Sequence, residues 1–215
     1  MELDQLERQI EEVFPETPLP DGEHLARMGR WFDEYGELHE YINPEALRFQ
    51  AFFQGNTWHD LVGEPLVSWG AAAFSGLNFL NTRARVYYLP AYMQTAMHSY
   101  HENFDLVEGL FNSLTPPKLF LSEEEREDVF ALIDKCGDLL PVELQKSLKE
   151  KIFKRADSSS KPQQRDAMLH SVEQDFEDFM NALTPAQKLV IREFILYMRK
   201  TYPVEDLAAR IGHNL

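Results

Sequence analysis

The chain has 215 residues, 44% of them apolar and 12% aromatic, which is too much for a disordered polymer and enough to bury a core. Its net charge of −15 disfavours nucleic acid and anionic membranes as partners, because both hold proteins through basic side chains. The single cysteine, Cys136, excludes an intrachain disulfide and a multi-cysteine zinc site, and no apolar run nears the ~20 residues that span a bilayer.

Leucine, with 27 residues, outnumbers valine, isoleucine and threonine together, with 24, which favours helix over sheet. The predicted fold is all-α: a single compact multi-helix bundle over residues 1–215 with an irregular, aromatic-rich middle. In the first helix Leu3, Leu6, Ile10, Val13 and Phe14 recur at steps of three and four, and Pro15, Pro18 and Pro20 end it. A second helix is predicted from about Gly22 to Glu40, burying Leu25, Met28, Trp31, Phe32, Tyr35 and Leu38. Asn43-Pro44 reads as the N-cap and first position of a third, which carries Leu47, Phe49, Phe52 and Phe53 and ends near Gly55. Residues 56–81 are the least regular, with Gly63, Pro65, Gly70 and Gly76 among Trp58 and Trp69. Helix resumes at Thr82 and passes Tyr87, Tyr88 and Leu89. Pro90 then kinks it or opens the next helix, which supplies Tyr92, Met93, Ala96, Met97 and Tyr100.

Ser122 and Glu125 match a capping box, followed by an apolar face of Val129, Phe130, Ile133 and Cys136. Pro141 opens a helix with Leu144, Leu148 and Ile152 on one stripe. The polar stretch 155–165 reads as an exposed, flexible loop. Leu169, Val172, Phe176, Phe179, Met180 and Leu183 then return to helical spacing. Thr184 and Gln187 form a second capping box, opening a helix with Leu189, Val190, Phe194, Ile195, Tyr197 and Met198 that Pro203 ends.

Few residues carry a chemical signature. His98 and His101, with Glu102 beside them, share one helical face and could hold a metal only with a further ligand, for which Asp105 is the nearest candidate. His24, His39, His59, His170 and His213 are scattered, and no nucleophile elbow, phosphate-binding loop or zinc-protease motif occurs. Cys136 sits on an apolar face and reads as a buried thiol, and Glu123-Glu124-Glu125 complements a helix N-terminus. No cofactor is expected.

The aromatic middle carries the most distinctive pattern: Phe53-Gln-Gly55-Asn-Thr-Trp58, then Phe79-Leu80-Asn-Thr82, then Tyr87-Tyr88-Leu89-Pro90-Ala91-Tyr92. These elements, with Leu183-Thr-Pro-Ala-Gln187 and Phe194-Ile195 further on, resemble the bacterial family DUF6714, a family of unknown function. The resemblance implies the helical fold and a bacterial origin, and assigns no activity. The chain departs from the family's pattern at Asn56, where a basic residue is expected.

Charge supplies the functional expectation. Residues 1–60 carry 14 acidic and 4 basic side chains, so two thirds of the net charge lies in little more than a quarter of the chain. An acidic face there would capture a basic partner, with Glu11, Glu12, Glu34 and Glu37 as its binding residues. The expected function is therefore a non-catalytic, cytoplasmic protein-binding protein, most concretely an immunity- or antitoxin-like protein that neutralises a basic toxin. Its N-terminus is acidic from Glu2, unlike a leader peptide. The alternative is a small-molecule-binding protein, or a metal- or histidine-dependent enzyme, with a pocket in the aromatic middle. A homo-oligomer built on the N-terminal helix is a third reading, and the sequence leaves the oligomeric state open.

Overall fold

A computed structural model describes residues 2–16, 20, 25–32, 37–41, 44–115 and 162–202. These residues are mostly helical, as the leucine-rich composition predicts. Contacts group the chain into two compact units, one of residues 1–30, 40–115 and 175–215 and one of residues 31–39 and 116–174. The helical elements that position the candidate site lie in the first unit.

The centre of that unit is α5, Thr82–His98. Asn81 caps it by accepting the Ala84 N–H at 2.9 Å, and every residue from Tyr88 to Met97 is buried. A helix with apolar residues on all sides must be enclosed by others, and this one is. α1 (Leu3–Val13), which buries Leu6 and Ile10, packs on α5, and so does α6 (Phe104–Leu114). α5 runs unbroken through Pro90, so the proline neither starts nor ends a helix. Its missing N–H is tolerated where close packing holds the helix on every side.

α2 (Pro44–Phe53) ends at a turn in which Gly55 has φ +80°, a backbone conformation that glycine adopts without strain. The irregular middle follows as short pieces: a 3₁₀ turn at His59–Leu61, α3 (Glu64–Ser68), α4 (Ala71–Gly76) and a second 3₁₀ turn at Leu77–Phe79. α4 packs closely on α6.

The helix expected from Gly22 to Glu40 does not form among its described residues, 25–32 and 37–40. Gly29–Phe32 and Leu38–Tyr41 are instead strands β1 and β2 of a two-stranded sheet. Just upstream, Ala26 bridges Leu80 in antiparallel fashion, Arg27 N–H donates to Phe79 O at 2.7 Å, and Asn81 N–H donates to Leu25 O at 2.8 Å. Pairing with a distant segment thus replaces local helical bonds, in a stretch whose glycines disfavour helix. The Tyr41 ring lies close over Gly29: a Cβ there would stand 2.5, 2.6 and 3.0 Å from three of its carbons, so a larger residue would have to push the ring aside. Leu25 is buried as expected, but Met28, assigned to the core, is 41% exposed.

α7 (Pro162–Ala182) begins inside the predicted loop, so residues 162–165 are helical, with proline in the first turn. The capping box at Ser122, Cys136 and the helix opening at Pro141 lie outside the described residues. The second capping box forms as predicted: Gln187 N–H donates to Thr184 Oγ1 at 3.2 Å, and Thr184 N–H donates to Gln187 Oε1 at 2.9 Å. It opens α8 (Pro185–Thr201), which packs along α1.

Candidate functional site: the exposed face of the first helix

The heptad spacing of α1 divides it cleanly. Leu6 and Ile10 are buried and Leu3 and Val13 partly so, while Asp4, Gln5, Arg8, Glu11 and Glu12 are exposed on the opposite side. Arg8 spends its Nε on the Asp4 backbone carbonyl at 3.1 Å. Asp4, Glu11 and Glu12 make no ion pair among the described residues. Exposed carboxylates without a cationic partner keep their full field in solution, which is what an encounter with a basic surface uses.

Of the four residues predicted to form the acidic face, Glu11 and Glu12 are adjacent on α1. Glu37 is exposed and belongs to the second unit, and Glu34 lies outside the described residues. The acidic face of the first unit therefore consists of Glu11 and Glu12 with Asp4, a residue the prediction did not name. Its helical position one turn before Arg8 and two before Glu11 was visible in the same periodicity.

Beside this face, two histidines are occupied by carboxylates. His98, the last residue of α5, directs Nε2 at the Glu7 carboxylate in a close hydrogen bond. His59 Nδ1 lies 3.9 Å from Glu16, whose backbone carbonyl also accepts from the Tyr87 hydroxyl. His101 is not gathered with His98 around a common point. Its ring sits edge-on to Tyr202, with centroids 5.5 Å apart. Among the described residues no group of three His, Cys, Asp or Glu could hold a metal.

The aromatic middle serves as core. Phe53, Trp58, Tyr88 and Tyr92 are at most 1% exposed, and Pro90 is buried with them. The Tyr88 ring contacts Phe53 at 4.6 Å, and its hydroxyl lies 2.8 Å from Phe53 O and 3.0 Å from Asn56 O. The hydroxyl thus ties α5 to both sides of the Gly55 turn. Burial raises the pKa of Tyr88, and of Tyr92 more strongly, so both hydroxyls stay neutral. Asn56, the departure from the family pattern, spends its side-chain amide on Phe52 O at 2.9 Å.

Sequence reading did not single out Arg85. It is buried on α5, with Nη2 donating to Ser113 O and the guanidinium 3.9 Å above the Phe179 ring. Burial, and then the charge of Arg27, pull its pKa down to about 10, so it remains a cation at neutral pH. Arg27 pairs with Asp175. Arg85 stands two residues after the exposed Arg83, and nothing in that spacing marks which of the two is buried.

Residues 2–135 match the family model of DUF6714, a family of unknown function, and the chain belongs to that family. The matched span contains α1, the Gly55 turn and α5, whereas Leu183-Thr-Pro-Ala-Gln187 and α8 lie beyond it. No curated protein and no solved structure matches the chain. No helix among the described residues is long and apolar enough to cross a membrane.

Proposed function

We propose that this member of the DUF6714 family is a non-catalytic protein-binding protein of the cytoplasm, an immunity- or antitoxin-like protein that takes a basic toxin on the acidic face of α1. The observation that carries the reading is the exposure of Asp4, Glu11 and Glu12, with no ion pair among the described residues, on a helix whose other side is anchored in the core. A rigidly held helix presents its charges without an ordering cost, and complementary charge accelerates encounter and selects the partner.

The test is retention of proteins from an extract of the native host on the immobilised chain. A basic protein held by the wild type and lost by Glu11→Lys/Glu12→Lys, with unchanged thermal stability of the variant, supports the reading. Equal retention of the same proteins by both forms overturns it.

A further inference from the structure

The exposed side of α8 runs against the charge of the rest of the chain. Val190, Ile191, Phe194 and Met198 are buried, and the opposite side carries Lys188, Leu189, Arg192, Leu196, Arg199 and Lys200, all exposed. Leu189 is 58% and Leu196 49% exposed, the highest values among the large apolar side chains described. Four cations therefore frame two solvent-facing leucines in a chain of net charge −15. Glu193 stands at the margin, half-buried. None of the four cations makes an ion pair among the described residues.

Helix stability accounts for half of this pattern. Arg199 and Lys200 lie in the last turn, where cations complement the negative end of the helix dipole. Lys188 lies near the opposite end, where a cation is disfavoured, and Arg192 is in the middle. Neither explains why two leucines stay in water between them.

The complement lies on the adjacent helix. Gln187, in the first turn of α8, donates through Nε2 to Val13 O at the end of α1, at 3.2 Å. α1 exposes Asp4, Gln5, Glu11 and Glu12 around the single cation Arg8. Two copies of α8 face to face would set four cations against four. α8 facing α1 sets opposite charges together and brings the leucines onto the aliphatic stems of Gln5, Glu11 and Glu12. We propose that the leucine-and-cation face of α8 docks on the acidic face of α1 in a second copy of the chain. Because α1 and α8 are neighbours in each protomer, one two-fold axis forms both contacts together, the self-complementary arrangement of most homodimers. This inference does not rest on the function proposed above. Both use the carboxylates of α1, so a second copy and a basic partner compete for them.

Sedimentation of the full-length chain over a dilution series tests the proposal. The wild type is expected to be a dimer that dissociates on dilution. Leu189→Glu/Leu196→Glu is expected to weaken the dimer at least about tenfold, with an unchanged far-UV spectrum and, at dilutions where both forms are monomeric, an unchanged melting temperature. Arg192→Glu/Arg199→Glu and Glu11→Lys/Glu12→Lys should each weaken it, and all four changes in one chain should restore association, since both charges are then reversed. A wild type that remains monomeric at every concentration overturns the proposal. So does a dimer indifferent to the leucine changes, or a fourfold variant no stronger than either pair alone. Leu189 and Leu196 lie off α1, so a monomeric wild type leaves the partner-binding reading untouched, and loss of that reading leaves the dimer standing.

Discussion

Removing the Tyr88 hydroxyl alone should loosen the turn around Gly55 without opening the core. In Tyr88→Phe the ring keeps its place against Phe53, at a centroid distance of 4.6 Å, and no cavity forms. What is lost is one donor shared between Phe53 O and Asn56 O, at 2.8 and 3.0 Å. Phe53 O retains the Asn56 N–H at 3.2 Å, so the uncompensated acceptor is Asn56 O on a half-buried residue. A net hydrogen bond is worth about 1 kcal/mol and a stranded buried acceptor costs about 1–3, so partial access to water points to a loss of about 1.5 kcal/mol. Tyr88→Ala also deletes the ring and should cost about 3–5 kcal/mol, the range for large aromatic truncations. Urea unfolding followed by tryptophan fluorescence reads both, with an unchanged denaturant slope for the phenylalanine variant. A Tyr88→Phe loss below about 0.5 kcal/mol, the ordinary scale of surface changes, would refute the role given to the hydroxyl. A loss equal to that of Tyr88→Ala would show that the ring's packing depends on it.

Trp58 is fully buried in the same core, so Trp58→Ala should cost about 3–5 kcal/mol by urea unfolding. Thr184→Ala removes the side-chain half of the α8 capping box and should cost about 1 kcal/mol, with Thr184→Ser recovering most of it. The Thr57 hydroxyl, and then its backbone N–H, donate to the Asp60 carboxylate and hold its pKa below the ordinary value. A lowered folded-state pKa stabilises above the unfolded value and is lost as pH falls through the folded one. Asp60→Asn should therefore be less stable than wild type at neutral pH, and the difference should shrink below the ordinary carboxylate value of about 3.9.

Where local signals agreed, the sequence was readable. The apolar stripe of α1 and the Thr184–Gln187 capping box each depend on residues within two turns, and both formed as spacing predicts. The described residues 25–32 and 37–40 are not helical although their apolar residues recur at helical steps. The deciding partners, Leu80, Phe79 and Tyr41, lie outside any local window. Pro90 was readable as a break only in isolation, since the packing that sustains α5 around it comes from other helices. The acidic face was legible on α1 and not across loops: periodicity places Glu11 and Glu12 together, whereas nothing local relates them to Glu37. Periodicity places Leu189 and Val190 on one helix without separating them, yet Leu189 is 58% exposed and Val190 buried, because one residue of helical rotation separates the two environments.

The most direct test is the association rate, followed by stopped flow as salt is raised, of the chain with any basic protein that the immobilised wild type captures. The account predicts a fast rate that falls as the Debye length shortens from about 10 Å at 0.1 M to about 3 Å at 1 M. It also predicts a slower, salt-insensitive rate for Glu11→Lys/Glu12→Lys, and no loss for Leu189→Glu/Leu196→Glu. An association rate indifferent to both salt and the reversal of Glu11 and Glu12 would contradict it.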